Sequence, residues 1–139
     1  MNTLKGSCHC GNISYLFETS LNIEDLKVRR CDCTFCTKSG NRYISDSKGS
    51  LKVHIDEIAN TKKYTFGTRT ADFYICRICG VNPFATSKIE DNLRAVINVN
   101  TLEDVEEFSR HAQVMNYEDE SLSERMKRKE KNWIGQVEI

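Results

Sequence analysis

The sequence predicts a mainly β fold with short helical segments near the C-terminus. Apolar and polar residues alternate in several short runs, as in strands that bury one face, and helix signals occur only after residue 100. The seven cysteines fall into three tight groups, which predicts that metal ions pin the sheets together. A length of 139 residues suits one domain with one hydrophobic core.

Six runs with period-two alternation are predicted to be strands. In the third run, Leu51, Val53 and Ile55 lie on one face, and the last run is the most apolar, so it is predicted to be central. Turn residues separate the runs, which favours antiparallel sheets. The predicted strands are residues 12–17, 42–45, 51–55, 63–66, 71–76 and 93–99.

A short helix and a helical tail are predicted after these strands. Thr101 followed by acidic residues matches a helix N-cap, so a short helix is expected over residues 105–108. The composition then becomes highly charged. We therefore divide the chain into a metal-binding β domain, residues 1–116, and a charged C-terminal extension, residues 117–139, that is predicted to be helical.

The C-terminal extension carries an apolar stripe at helical spacing, which is expected to pack on the sheet. The stripe consists of Leu122, Met126 and Trp133, and Ser121 or Ser123 is available as the cap. The basic stretch over residues 124–131 is interrupted by acids, and the whole chain has 20 basic and 20 acidic residues. The stretch is therefore interpreted as a solvated helix face rather than as a nucleic-acid site.

The cysteine spacing favours metal ligands over disulfides. The three groups are Cys8 and Cys10; Cys31, Cys33 and Cys36; and Cys76 and Cys79. Seven cysteines would leave one thiol unpaired, and the N-terminus has no signal-peptide core, so a cytoplasmic location is expected. Cys-x-Cys and Cys-x-x-Cys pairs direct two sulfur atoms toward one point, as a metal requires.

Seven thiols suit one closed site with four ligands and one open site with three. The middle group can fill three corners of one tetrahedron, which leaves the outer groups to each other. Spacing alone also permits the first group to join two of the middle thiols. Zinc is the expected metal because all ligands are soft, and an iron–sulfur cluster is the alternative. Gly11 and Gly80 follow their cysteine pairs and are predicted to relieve the bend with a positive φ.

The residues around the three groups resemble the signatures of the glutathione-dependent formaldehyde-activating enzyme family, which also includes centromere protein V. The matching segments are residues 6–15, 31–36, 74–80 and 97–104. The resemblance implies an Mss4-like β fold and two zinc ions per chain. One would be structural, on Cys8, Cys10, Cys76 and Cys79; the other would have an open coordination position, on Cys31, Cys33 and Cys36.

The resemblance also implies a carbon–sulfur lyase-like activity on a thiol adduct such as S-hydroxymethylglutathione. Asp32 and Lys38 are the polar residues tied by sequence to the open site, and we take them as the candidate catalytic residues. They also depart from the family pattern at their positions, which bears on the substrate. Arg69, Arg77 and Arg94 are available to the carboxylates of glutathione, but nothing in the sequence selects among them.

Two functions from other classes stay open. The first is a non-catalytic zinc module that binds protein or nucleic acid, and a steep loss of binding with salt would identify a phosphate-binding module. The second is a redox or zinc-buffering protein, in which oxidation of the three-thiol group releases the metal. No apolar run reaches the ~20 residues that a membrane-spanning helix needs, so no membrane partner is expected. The resemblance implies a small-molecule thiol or glutathione adduct as the partner. The sequence leaves the oligomeric state open.

Overall fold

The computed structural model describes residues 1–139 and contains two β-sheets and two α-helices. The smaller sheet has the strand order β1-β2-β5-β11, with β1 Asn2–Ser7, β2 Ile13–Thr19, β5 Ser50–Ile55 and β11 Gln136–Glu138. The larger sheet has the order β10-β3-β4-β9-β8-β7-β6, with β3 Arg29–Cys31, β4 Tyr43–Ile44, β6 Thr61–Tyr64, β7 Asp72–Cys76, β8 Phe84–Ile89, β9 Asn92–Asn98 and β10 Gln113–Met115. The helices are α1 Thr34–Ser39 and α2 Leu122–Asn132.

The main hydrophobic core lies between the two sheets. Phe17 of β2 and Leu51 of β5 pack in one buried cluster with Phe84 of β8 and Ile97 of β9. Most neighbouring strands run antiparallel, and the exceptions are the pairs β3–β10 and β5–β11. The prediction of a mainly β fold built from antiparallel sheets is confirmed.

The larger sheet is buried on both faces. Ala95 and Ile97 point into the core between the sheets, whereas Val96 belongs to a second buried cluster with Ala85 and Trp133. This second cluster lies beneath α1 and α2, and it explains why β9 reads as a continuous apolar run. The helices therefore form a third layer on the face of the larger sheet that points away from the smaller sheet.

All six predicted strands are present, with boundaries that differ by up to a few residues. Five strands were not predicted. In β8, Phe84, Ala85, Thr86 and Ser87 are all buried, so the strand shows no alternation. The other four are β1, β3, β10 and β11, of which the last three have only three residues each and give little periodic signal.

The predicted short helix at residues 105–108 is a turn of 3₁₀-helix, Val105–Phe108. The prediction that Thr101 caps it is wrong, because Asp104 directly precedes the turn and Thr101 lies in a separate 3₁₀ turn, Val99–Thr101. The Thr101 hydroxyl instead donates to the carbonyl of Asn98 at 2.7 Å. A local hydrogen bond therefore competes with the cap role that the sequence suggested.

The predicted tail helix is confirmed as α2, and Ser121 rather than Ser123 is its cap. The Ser121 Oγ atom accepts from the Glu124 backbone N–H at 3.1 Å, and the Glu124 carboxylate accepts from the Ser121 N–H at 3.0 Å. This reciprocal pair fixes the first turn. The predicted packing stripe is only partly correct, because Trp133 is buried but Leu122 is 60% exposed.

The C-terminal extension packs against both sheets. Ile134 is fully buried in the main core, and its backbone pairs with Ala95 of β9. Strand β11 then continues beside β5 in the smaller sheet. The chain thus passes from the helical layer to the opposite sheet, which anchors α2 at its C-terminal end. No helix in the structure combines the length and the apolar character that crossing a membrane would require.

Candidate functional site

The two outer cysteine pairs meet in one four-thiol cluster. Cys8 and Cys10 follow β1, Cys76 ends β7 and Cys79 lies in the next turn; all four Sγ atoms are within 4.8 Å of one another. The Sγ atoms of Cys8 and Cys10 are 3.8 Å apart, and those of Cys10 and Cys76 are 3.5 Å apart. Four sulfur atoms bound to zinc at about 2.3 Å stand about 3.8 Å apart in a tetrahedron. The donor set therefore fits a tetrahedral metal ion.

The turns that hold these pairs have the geometry expected from their glycines. Gly11 has a φ of 88° and Gly80 a φ of 76°, so each adopts the left-handed conformation that other residues rarely take. The backbone N–H of Ile13 points to the Cys8 sulfur at 3.3 Å. Cys8 and Cys76 are buried in the main core, so this cluster joins strands of both sheets inside the fold.

The middle cysteines form a second cluster at the start of α1. Cys31 ends β3, Cys33 is the N-cap of α1 and Cys36 lies in its first turn; their Sγ atoms are within 4.8 Å of one another. The Cys33 sulfur accepts from the backbone N–H of Cys36 at 3.4 Å, which takes the place of a serine or aspartate cap. No helix was predicted before residue 100, so the sequence analysis missed α1, whose cap is a sulfur atom. The cluster could hold one metal ion with three protein ligands.

Hydrogen bonding between Cys31 and Cys36 shifts their pKa values in opposite directions. A hydrogen bond from the Cys36 thiol lowers the pKa of Cys31 to about 6, although burial acts in the opposite direction. The same contact, together with burial, raises the pKa of Cys36. The cluster therefore holds one sulfur as a thiolate near neutral pH, which is the form that binds metal ions.

Tyr43 connects this cluster to a buried polar network. Its hydroxyl lies 3.3 Å from the Cys36 Sγ atom and accepts from the Asn41 Nδ2 atom at 2.9 Å. Asn41 is held in turn by hydrogen bonds with Asn82 at 2.7 Å and with Asn98 at 3.1 Å. All of these side chains are buried, so the tyrosine hydroxyl has one fixed orientation relative to the sulfur.

A cleft of about 500 Å³ opens at the three-thiol cluster. All three cysteines line it, whereas none of the four thiols of the other cluster does. Phe66, Phe73, Tyr117 and Trp133 form apolar parts of its wall. Phe66 and Phe73 stack on each other, and Phe35 of α1 contacts both rings, which packs α1 against β7 and the segment after β6.

Part of the cleft lining is basic, and most of these basic residues come from α2. Arg125, Arg128 and Lys129 of this helix line the cleft together with Arg29 of β3. The interpretation of residues 124–131 as a solvated face is therefore wrong for these three residues, because the helix turns them toward the cleft. The tail thus forms one wall of the cleft.

Of the two predicted catalytic residues, Asp32 lines the cleft and Lys38 does not. Asp32 lines the cleft beside the cysteines, where its Oδ2 atom accepts from the Asn116 Nδ2 atom at 3.0 Å. Lys38 is exposed near the C-terminal end of α1 and is not part of the cleft wall. The three arginines named from the sequence, Arg69, Arg77 and Arg94, also lie outside the wall.

Several residues of the cleft were missed by sequence reasoning. Tyr43 and Tyr117 reach the site from elements that the sequence does not connect to the cysteines. Lys129 is only 2% exposed, although its sequence context of lysines and arginines indicated a surface position. Arg125, Lys129 and Trp133 follow one another at intervals of one helical turn, and this spacing could have indicated that they share one face of α2.

Comparisons with known proteins agree with this geometry. Residues 3–118 match the sequence profile of the family described as glutathione-dependent formaldehyde-activating enzyme. The crystal structure of a protein from Rhodobacter sphaeroides superposes with a TM-score of 0.61 and 31% sequence identity. The match covers 80% of this chain and 99% of that protein.

Proposed function

This chain belongs to the glutathione-dependent formaldehyde-activating enzyme family, and from that membership we propose that it is a zinc-dependent, carbon–sulfur lyase-like enzyme acting on a thiol adduct such as S-hydroxymethylglutathione. One observation carries this proposal. The three-thiol cluster lines the cleft, whereas the four-thiol cluster lies outside it. A small molecule in the cleft would therefore meet only the cluster that leaves a coordination position open.

The donor sets support two zinc ions per chain with separate roles. The four thiols Cys8, Cys10, Cys76 and Cys79 would hold a structural ion, and the three thiols Cys31, Cys33 and Cys36 would hold the ion of the reaction site. At the second site, zinc would supply Lewis acidity toward oxygen or would bind a thiol as its thiolate. Tyr43 would keep Cys36 in place by donating its O–H to the sulfur.

The proposed reaction forms or breaks one carbon–sulfur bond. In the forward direction, the sulfur of a thiol attacks the carbon of formaldehyde, and the thiol proton ends on the former carbonyl oxygen. In the reverse direction, the carbon–sulfur bond breaks and the hydroxyl proton returns to sulfur. The balance requires one group that takes a proton and gives it back.

Asp32 is the group that we assign to this proton transfer. It lines the cleft next to Cys31 and Cys33, and the amide of Asn116 holds one of its carboxylate oxygens at 3.0 Å. The other oxygen is then available to accept the thiol proton and return it. Lys38 stays in the proposal only as a positive charge on α1, the helix that carries Cys36, since Lys38 does not line the cleft.

The shape and lining of the cleft also suit a small thiol. A volume of about 500 Å³ lies in the range of small-molecule sites, and aromatic side chains form much of the wall. The seven cysteines gather in two candidate metal clusters, which metal binding in a reducing compartment would suit, and we propose a cytoplasmic location. The basic residues of α2 give little support to nucleic-acid binding, because Arg128 is paired with Glu120 and Lys129 is buried.

The test compares turnover with metal content. Exchange of formaldehyde with glutathione should be measured by NMR in the zinc-loaded protein, against the uncatalysed rate in the same buffer. We expect acceleration by the wild-type protein and none by Cys33→Ser. A folded protein with two zinc ions that gives no acceleration would contradict the lyase-like function. Release of zinc under mild oxidation without turnover would favour the redox or zinc-buffering alternative.

A further inference from the structure

Helix α2 lies outside the part of the chain that matches the family, yet it builds one wall of the cleft. The family match ends at residue 118, and α2 begins at Leu122. Arg125, Arg128 and Lys129 line the cleft from this helix. These side chains therefore come from a part of the chain that the family match does not cover.

The wall is held firmly in place. The Nζ atom of Lys129 donates to the carbonyl and hydroxyl oxygens of Thr70 at 3.3 and 2.9 Å and to the Ser87 hydroxyl at 3.3 Å. At the end of the helix, the Ser45 hydroxyl donates to the carbonyl of Asn132 at 2.7 Å. Because both contacts are buried or partly buried, the helix cannot swing away from the cleft without breaking them.

The cations of the wall are only partly neutralised. Glu120 binds Arg128 with both carboxylate oxygens, at 2.8 and 3.0 Å, and its nearest approach to the Nε atom of Arg125 is 3.8 Å. One carboxylate thus serves two guanidinium groups. The Nε atom of Arg125 is buried without a hydrogen-bond partner.

Arg29 of β3 adds a further uncompensated charge to the lining of the cleft. Its Nη2 atom donates to the Ser45 hydroxyl at 2.7 Å, and no carboxylate lies within 4.0 Å of it. Burial and the neighbouring charge of Arg128 lower the pKa of Arg29. The acidic residues of the cleft wall, Asp32 and Glu118, are both exposed.

Resting on the function proposed above, we propose that Arg125 and Arg29 make the cleft selective for thiols that carry a carboxylate. Guanidinium groups bind carboxylates through paired hydrogen bonds. The Nη2 atom of Arg125 donates to the Tyr117 carbonyl at 3.1 Å and that of Arg29 to Ser45, which leaves the Nη1 atom of each group for a ligand. The ligand's sulfur would face the three cysteines while its carboxylate reaches the wall. The specificity would then come from α2 and β3, and the reacting centre from the cysteine cluster.

The test uses two thiols that differ in charge. Cobalt-substituted protein is titrated with glutathione and with N-acetylcysteamine, which has a thiol and an amide but no carboxylate, and the change in the visible spectrum gives each affinity. We expect Arg125→Gln and Arg29→Gln to weaken glutathione binding roughly tenfold to hundredfold and to leave N-acetylcysteamine unchanged. Lys127→Gln, on the exposed face of the same helix, is the matched control and should change neither affinity.

Three other outcomes overturn the inference, each in a different way. Equal weakening of both thiols, or loss of cobalt from the arginine variants, would mean that the cations only offset the charge of the thiolate cluster. Unchanged glutathione binding in both variants would overturn the selectivity while the lyase-like function stands. No spectral change with either thiol in the wild-type protein would overturn the proposed function and the selectivity together.

Discussion

The hydroxyl oxygen of Tyr43 lies 3.3 Å from the Sγ atom of Cys36 in a buried contact. Because Asn41 donates to that oxygen at 2.9 Å, the O–H of Tyr43 is directed to the sulfur. A hydrogen bond to a thiolate reduces the charge that the thiolate places on a metal and fixes its direction. Tyr43 is therefore a positioning residue for the three-thiol cluster.

Tyr43→Phe should weaken metal binding at the three-thiol cluster by roughly tenfold to hundredfold, because the sulfur loses its hydrogen bond. Competition with a chelator measures this affinity. Tyr15→Phe is the matched control, since the Tyr15 hydroxyl is also buried but bonds to Thr101 at 2.8 Å, away from the cleft. Equal metal affinities of the two variants would rule out the positioning role.

Cys8→Ser and Cys33→Ser should differ in their effect on folding. Cys8 is buried in the main core and belongs to the cluster that joins the two sheets, so its loss should prevent stable folding. Cys33 is half-buried at the cleft, and its loss should leave a folded protein with one zinc ion fewer. Circular dichroism and metal analysis distinguish the two cases. Equal damage from both substitutions would refute separate structural and reactive clusters.

Asp32→Asn should slow turnover by roughly 10²- to 10⁴-fold without changing metal content, because the amide cannot take the thiol proton. The measurement is the rate of formaldehyde–glutathione exchange with zinc counted in the same sample. Asp25→Asn provides the control, since Asp25 is exposed in a 3₁₀ turn and does not line the cleft. A rate for Asp32→Asn that equals the wild-type rate would remove Asp32 from the mechanism.

Lys129 should make the protein more stable as the pH rises above neutrality. Burial and the charges of Arg128 and Arg125 lower the pKa of Lys129 to about 7, from 10.5 for an ordinary lysine. Between these values the unfolded chain binds more protons than the folded protein. The free energy of unfolding therefore rises with pH, by at most about 1.4 kcal/mol per pH unit, and this contribution levels off above the upper value.

Denaturant unfolding of the wild-type protein and of Lys129→Met, from about pH 6.5 to about pH 9, measures this dependence. The difference between the two free energies isolates Lys129 from the other groups that titrate in this range. Lys127→Met, at an exposed position, should keep the slope of the wild-type protein. Parallel curves for the wild-type protein and Lys129→Met would show that Lys129 keeps its proton in the folded state.

The three-thiol cluster and the mainly β architecture were predictable because their signals are local. Cys31, Cys33 and Cys36 are so close in the chain that any turn brings their sulfur atoms together. Gly11 and Gly80 marked the turns of the other cluster, and both have a positive φ. Alternation along β5 identified that strand for the same reason, since each residue faces one of two sides.

The cleft itself was decided only by tertiary structure. The sequence does not show that α2 packs on the face of the larger sheet that carries the three-thiol cluster, and it places Lys129 among exposed charges. Burial of Trp133 and Ile134 fixes the helix there, and this brings Arg125 toward Arg29 of a distant strand. Close spacing brings together the sulfur atoms within each cysteine group, but groups and side chains far apart in sequence meet only when packing buries the apolar residues between them.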